Sequence, residues 1–370
     1  MNKQITRVEK DTKGRIHRHR APGPLPVRLN RCGMAAALLL ALGTFTPVSE
    51  ADSTTPTPPR QQGGFWSAQF ENDLFGSGDD QFYSNGMEFS YLSLEDPSGW
   101  ITGVSRLLPF FHTGDVGAVQ YSIGQKIYTP KDTETRTLIE DDRPYAGWLY
   151  GSAELLSRYV NEPNYKVGNI LGITLGIVGP SSQAGDTQNG WHDLIDIEKT
   201  HGWDNELRDE LGIVLTYTRR WQHFRQLGGG LEFETAPHVV GALGNVYTYA
   251  GAGGLLRLGS GLRNDIAPPN IRPGFPGVSY LRPSTRPSWY FFAGAEGRAV
   301  ARNIFLDGNT FKDSHSVDKK PLVMDLQFGF AFHINQIRIS LSNVWRSHEF
   351  EEQDKHAQFG SINISFFLPE

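Results

Sequence analysis

Apolar and polar residues alternate with a period of two along most of the chain after residue 64. The clearest example lies within residues 322–333. Its apolar positions are Met324, Leu326, Phe328, Phe330 and Phe332, and they alternate with Asp325, Gln327, Gly329, Ala331 and His333. This alternation is typical of strands whose two faces meet different environments. The sequence therefore predicts an all-β protein.

Twelve segments carry this pattern. They lie near residues 65–72, 83–94, 118–128, 145–159, 165–178, 210–222, 228–239, 245–259, 288–302, 321–333, 335–347 and 356–367. Most are about as long as the 9 to 11 residues that a tilted strand needs to cross a bilayer. An even-stranded closed barrel also leaves no unpaired edge in lipid. We therefore predict an antiparallel 12-stranded transmembrane β-barrel.

The connections differ in length. The turn at Ile334-Asn335 is short, whereas residues 95–117, 129–144, 179–209 and 260–287 form long connections. Outer-membrane barrels have short turns at one end and long loops at the other, so we expect this sorting here.

A soluble exported β-sandwich would also show alternating strands. Two features favour the barrel instead. The polar positions carry few charges, as expected for a filled lumen, and aromatic residues cluster at the strand ends, as in the girdles at membrane interfaces. These aromatic residues are Phe65, Trp66, Trp148, Tyr150, Trp221, Trp289, Tyr290, Phe366 and Phe367.

The N-terminal region has the order of a secretory signal peptide. Nine basic residues within positions 1–31 precede the apolar run Met34–Leu42, and the small residues Ser49 and Ala51 follow. The run is too short for a membrane-spanning helix, which needs about 20 residues. We predict a signal peptide over residues 1–51, a flexible tether rich in Thr, Pro and Gln over 52–64, and the barrel over 65–370.

Composition narrows the possible partners. The 370 residues include one cysteine, Cys32, which the predicted signal peptide contains, so the exported chain has no disulfide. Removing residues 1–51 takes nine of 35 basic and three of 40 acidic side chains, which leaves 26 against 37 and a formal charge of −11. So anionic a protein is a poor partner for nucleic acid.

The connection over residues 179–209 contains a candidate helix. Asp186 or Thr187 could cap it, and Gln188, His192 and Ile195 would then lie on one face. We expect this face to point toward the mouth of the barrel, where His192 could act as a base. The alternative is a surface histidine paired with a neighbouring aspartate.

The first two strands end in residues rich in side-chain oxygens. Glu71, Asn72 and Asp73 close the first strand, and Asp79 and Asp80 precede the second. Carboxylate and amide oxygens suit a hard cation such as calcium. The alternative is an acidic loop in solvent.

Basic residues follow the third strand. Lys131, Arg136 and Arg143 could contact a lipid phosphate at the rim, or be solvated charges of little energetic weight. The sequence has no G-x-S-x-G, H-E-x-x-H, P-loop or cysteine-pair motif, which disfavours a serine hydrolase or a zinc enzyme.

Five ordered motifs together resemble the outer-membrane lipid A 3'-O-deacylase family. They are Glu71–Phe75, Asp80–Gly86, Gly124–Pro130, Asp142–Trp148 and Gln188–His192. The resemblance implies a twelve-stranded barrel, and the candidate helix in residues 179–209 would then be a short helix in a long extracellular loop. It also implies a calcium-dependent esterase that removes the acyloxyacyl group from the 3' position of lipid A.

The resemblance also assigns site residues. It implies catalytic roles for Asn72, Asp73, Ser84, Gln188 and His192, with His192 as the general base. It implies Asp73 and Glu198 as ligands for Ca²⁺. Arg136 is our choice for the family's basic loop residue, and Arg143 is a second candidate for contact with the substrate.

The expected partner is lipopolysaccharide in the outer leaflet, and the expected state is a monomer integral to the bacterial outer membrane. Two alternatives stay open: an outer-membrane phospholipase, and a non-enzymatic barrel that serves as a pore or adhesin.

Overall fold

The computed structural model describes residues 63–73, 82–94, 116–196, 198–271, 273–274, 277–280 and 282–369. The predicted signal peptide, nearly all of the predicted tether, and Asp79 and Asp80 lie outside these residues.

Twelve strands form one closed barrel in which each strand pairs antiparallel with its neighbours in sequence and β12 pairs with β1. They are β1 (Gly64–Asn72), β2 (Phe82–Ser93), β3 (Val116–Thr129), β4 (Ala146–Glu162), β5 (Tyr165–Val178), β6 (Glu210–Gly228), β7 (Leu231–Gly244), β8 (Tyr247–Gly259), β9 (Ser284–Asn303), β10 (Leu322–Asn335), β11 (Ile337–Arg346) and β12 (Ala357–Leu368). The predicted twelve-stranded antiparallel barrel is confirmed. No helix among the described residues has the length and apolar character needed to cross a membrane.

The outer face of the barrel is apolar and exposed, which reverses the arrangement of a soluble protein. On β11, Ile339 and Leu341 are exposed, whereas Arg338 and Ser340 between them are buried in the lumen. Phe328 and Phe332 on β10 are exposed as predicted. A continuous apolar outer face is what a barrel presents to lipid.

The lumen contains paired charges rather than the sparse charge expected from the sequence. Arg257 forms ion pairs with Glu234 and Asp265, and Asp265 also pairs with Arg338 at 3.3 Å. These side chains are buried, and a buried charge persists only where a partner offsets its desolvation. The prediction of few inward charges was wrong.

The aromatic girdle is also smaller than predicted. Trp66, Trp289 and Phe366 are exposed on the outer face. Trp148 and Tyr150, however, are buried in the lumen, where the Lys126 ammonium lies 5.3 Å and 5.7 Å from their ring centres. Even positions of β4 therefore face inward.

The end of the barrel at which β1 begins and β12 ends, here the terminal end, has tight turns between β4 and β5, β6 and β7, and β10 and β11. The long connections β2–β3 and β8–β9 also start there, so the predicted sorting of short and long connections was wrong for these two.

Described parts of the β8–β9 connection, residues 260–283, fold back into the lumen and are called the lumen segment. The Ile271 amide donates to Glu71 Oε1 at 3.0 Å, and Ser279 Oγ lies 2.9 Å from Ser90 Oγ. Val278 is fully buried. The lumen segment thus fills part of the barrel interior with polar contacts and an apolar anchor.

The opposite end, here the loop end, has the other long connections and the two α-helices found among the described residues. Helix α1 (Ala184–Ile195) lies in the β5–β6 connection, and α2 (Ile304–Asp307) follows β9. The predicted loop helix is confirmed, but its predicted cap was wrong. Helix α1 begins at Ala184 after Gln183, which has a left-handed backbone and makes no side-chain cap. Asp186 lies instead in the first turn, where a negative charge favours the helix dipole.

Candidate active site

The loop ends of the first three strands bring together three predicted site residues. Asn72 Nδ2 donates to the Ser84 carbonyl oxygen at 2.7 Å, and Ser84 Oγ lies 2.6 Å from Thr129 Oγ1. The register shifts at Ser84, between Tyr83 and Asn85, which is typical of a β-bulge. Asp73 follows Asn72 and is buried. Thr129, which lies within the Gly124–Pro130 motif, adds its hydroxyl to this group.

The Asn72 side chain, and with it the contact to Ser84, lies on the outer side of the barrel wall. The Glu71 carboxylate contacts Ile271 of the lumen segment, so Glu71 faces inward. Successive side chains of a strand point to opposite faces. Asn72 therefore faces outward, and the prediction that the site points to the mouth of the barrel was wrong.

Helix α1 is seated against the same outer face. Gln125 alternates with the inward-facing Lys126, and its Nε2 donates to the Ser182 carbonyl oxygen at 2.7 Å. On β4, a Cβ at Gly147 would lie 2.0 Å from Ser182 Oγ and 2.3 Å from Ala184 Cβ. Glycine at 147 is therefore what allows the start of α1 to approach the wall.

The predicted face of α1 is confirmed for Gln188 and His192, which are both buried four residues apart. His192 Nδ1 lies 2.6 Å from the Glu198 carbonyl oxygen. Because a carbonyl can only accept, Nδ1 carries the proton in the neutral ring, and Nε2 is the basic nitrogen. This arrangement orients an imidazole as a general base.

The segment after α1 fixes Gln188. Its Oε1 accepts from Trp203 Nε1 at 3.2 Å and from Thr200 Oγ1 at 3.4 Å. The adjacent Asn189 accepts from the Thr200 amide at 2.9 Å. These contacts orient the Gln188 amide with its oxygen toward Thr200 and Trp203. Thr200 and Trp203 carry no sequence signal that predicts this role.

The implied calcium ligands fit a cation in type. Asp73 offers a buried carboxylate, while the Glu198 side chain is exposed and its carbonyl orients His192. Within the described ranges, no three His, Cys, Asp or Glu side chains form a metal-holding group. A cation at Asp73 would therefore need amide, hydroxyl or carbonyl oxygens as well, which calcium accepts.

The two candidate substrate-binding arginines differ in exposure. Arg136 is exposed, and its carbonyl accepts from Asn205 Nδ2 at 2.8 Å, close to the segment that follows α1. Arg143 is buried, with its guanidinium carbon 4.8 Å from the Tyr128 ring centre and Nη1 3.5 Å from a Glu349 carboxylate oxygen. Because Tyr128 faces the lumen, this location argues against substrate contact by Arg143.

One further carboxyl in the β5–β6 connection has a shifted pKa. Burial, together with the negative charges of Asp209 and Asp186, raises the pKa of Glu206 to about 7. The group lies in the loop that carries α1.

The fold and the site together define a class: an integral outer-membrane β-barrel with a buried histidine on a helix against its outer wall. The chain belongs to the family described as outer membrane protein LpxR, whose model matches residues 34–368.

Among solved structures, LpxR from Salmonella typhimurium is similar to this chain, with 20% sequence identity and a TM-score of 0.67. The match covers 82% of this chain and 100% of that one, and it shows the same fold. The beta domain of the Bordetella autotransporter Brka matches at 9% identity over 83% of this chain and 100% of that one, with a TM-score of 0.42. No curated protein matches the chain.

Proposed function

We propose that this protein is an outer-membrane esterase that removes the 3'-linked acyloxyacyl group from lipid A in lipopolysaccharide. The observation that carries the proposal is the hydrogen bond of His192 Nδ1 to the Glu198 carbonyl oxygen. It leaves Nε2 basic on a helix that rests against the lipid-facing wall. Membership of the LpxR family supports the choice of substrate.

In the proposed reaction, His192 Nε2 takes a proton from water, and the resulting hydroxide attacks the ester carbonyl carbon. The tetrahedral intermediate then expels the sugar oxygen, which receives the proton from the imidazolium. The products are the released acyloxyacyl carboxylic acid, with its second ester intact, and a 3'-hydroxyl group. Asn72, Ser84 and Gln188 orient the water, the ester or the imidazole by hydrogen bonds.

The proposed cofactor is Ca²⁺, which Asp73 would hold, with Glu198 as a second candidate ligand. When bound, the ion supplies positive charge near the developing oxyanion. We expect excess chelator to abolish hydrolysis and added calcium to restore it. Full activity in excess chelator would contradict this part of the proposal.

Arg136 is the proposed contact for a lipid A phosphate, because its side chain is exposed beside the α1 connection and a guanidinium matches phosphate geometry. Arg136→Ala should raise KM for lipid A and leave kcat largely unchanged.

The general base is tested by release of fatty acid from purified lipid A. His192→Gln should lower the rate by about 100- to 10,000-fold, whereas Ser84→Ala should lose less because it removes only an orienting hydroxyl. His223→Gln is the control, since His223 is exposed on β6 near the terminal end, with its ring 4.6 Å from Tyr165. A His192→Gln variant that folds and retains more than about a tenth of the rate would reject the assignment.

Two other functions remain as alternatives. An outer-membrane phospholipase would release fatty acid from phospholipid but not from lipid A. A pore or adhesin would release it from neither. The lumen segment does not favour a pore, because it fills part of the interior. We also expect a monomer, which sedimentation in detergent tests.

A further inference from the structure

We propose that one flank of α1, formed by Trp191 and Leu194, binds an acyl chain of the lipid substrate beside His192. The proposal rests on the proposed function for the identity of the lipid, but the surface itself can be tested without activity. Leu194 is 75% exposed and Trp191 is 44% exposed, although both flank a buried catalytic face. The two residues are three positions apart, so their side chains lie on one side of the helix.

The other flank of α1 is occupied. A Cβ at Gly185 would lie 3.0 Å from the Trp203 ring, and Asn189 hydrogen bonds to Thr200. With 100° between successive residues, Gly185 and Asn189 lie on the side of the helix opposite Leu194. The helix therefore has a wall face, a flank packed on residues 198–205, and the Trp191–Leu194 flank.

The packed flank is on the loop-end side. His201 donates its amide to the Thr133 carbonyl at 2.9 Å, and the Trp203 ring lies 5.0 Å from that of Tyr145. Both partners belong to the β3–β4 connection at the loop end. The opposite flank, with Trp191 and Leu194, is therefore on the membrane side of α1.

The apolar outer face of the barrel begins directly below this flank. Leu149 follows Gly147 on the same face of β4, and Ile123 precedes Gln125 on the same face of β3. Gly147 and Gln125 are the two residues that seat α1, and two residues along a strand span about 7 Å. Leu149 and Ile123 are both exposed. The flank is thus continuous with the lipid-facing surface.

This continuity identifies the occupant as a hydrocarbon chain from the adjacent lipid leaflet. A chain that lies along Ile123 and Leu149 and against Leu194 would bring its ester end to the level of His192. The apolar flank would then contact the acyl chain of a lipid that stays in the leaflet. The polar residues at the loop ends of β1 to β3 would contact its ester group.

The surface is tested first by its environment. Residues 52–370 contain no cysteine, so Leu194→Cys introduces a single site for a nitroxide label. Asp193→Cys is the matched control, because Asp193 is exposed on the far side of α1. The labelled proteins are reconstituted into phosphatidylcholine vesicles, and collisions with oxygen and with a water-soluble nickel chelate are compared. We expect the label at 194 to favour oxygen and the label at 193 to favour the chelate.

The role in substrate binding is tested by kinetics on lipid A in mixed micelles. Leu194→Ser should raise KM by about tenfold and leave kcat within about twofold, because it removes apolar contact without altering His192. Leu243→Ser is the control, since Leu243 is 66% exposed near the loop end of β7, away from α1.

Equal exposure of positions 193 and 194 to the chelate would overturn the proposal, as would an unchanged KM for Leu194→Ser. A different outcome is lipid contact at position 194 in a protein that hydrolyses no lipid A. That outcome would overturn the proposed function, and with it the claim that the bound acyl chain belongs to lipid A. The two failures are therefore distinguishable.

Discussion

Gly147→Ala tests the seating of α1 on the outer wall. The added Cβ would lie 2.0 Å from Ser182 Oγ and 2.3 Å from Ala184 Cβ, whereas ordinary contact begins at 3.4 Å. The start of α1 must therefore move by about 1 Å. Overpacking of this kind costs about 1 to 3 kcal/mol, which lowers the population of the docked helix about 5- to 150-fold relative to the undocked one.

The assay is the initial rate of fatty acid release from lipid A, measured together with the heat-modifiable gel mobility of the folded barrel. We expect Gly147→Ala to lose about 10- to 100-fold in rate, because a 1 Å misplacement of a catalytic group has that effect, and to keep the folded mobility. Gly151→Ala is the matched control on the same face of β4, where the nearest atom would be 3.7 Å away. A full rate for Gly147→Ala would refute the seating of α1 at Gly147.

Three further predictions concern the membrane face, the α1 connection and the lumen. Phe330→Arg should lower the free energy of unfolding in lipid by about 2 to 4 kcal/mol if the residue lies near the midplane, as measured by urea titration; unchanged stability would contradict the lipid-facing assignment. Glu206 has a pKa raised by burial and by Asp209 and Asp186 to about 7, so the stability that its protonated form contributes is complete below its ordinary pKa and is lost as the pH rises toward 7. Limited proteolysis of the α1 connection should therefore be faster at about pH 8 than at about pH 5.5, and Glu206→Gln should remove the difference; a pH dependence that persists in the variant would contradict it. The wild-type barrel should show no steady conductance in planar bilayers because the lumen segment fills part of the interior, and a stable open channel would contradict this.

Strand number and approximate bounds were predictable because alternation is a local property of the sequence. The predicted and observed bounds of β5, residues 165–178, coincide. The predicted end of β6 was less accurate. The alternation predicts a strand over residues 210–222, whereas β6 continues to Gly228, and its last residues are all exposed and no longer alternate. Period-two patterning thus identifies the strands but not where they leave the bilayer.

The charged lumen was not predictable by the same means. Arg338 lies 73 residues from Asp265, and Arg257 and Asp265, although eight residues apart, carry no local signal that they pair before the barrel closes. The lumen segment has no periodicity, so its position depends on contacts such as Ile271 to Glu71 that only the closed barrel provides. Its anchoring is therefore a property of tertiary structure.

The candidate site was predictable in its residues but not in its geometry. The spacing of Gln188 and His192 correctly placed both on one helical face. Which side of the barrel wall carries the site could be determined only from the inward orientation of Glu71 in the structure. The Glu198 carbonyl on His192 depends on the backbone path after the helix, for which the sequence carries no local signal.

The central claim is most directly tested by mass spectrometry of lipid A from cells that express this protein, compared with cells that express His192→Gln at the same level in the outer membrane. The account predicts loss of the mass of the 3'-linked acyloxyacyl group with the wild-type protein and intact lipid A with the variant. Intact lipid A in both, with the wild-type barrel folded and calcium present, would contradict it.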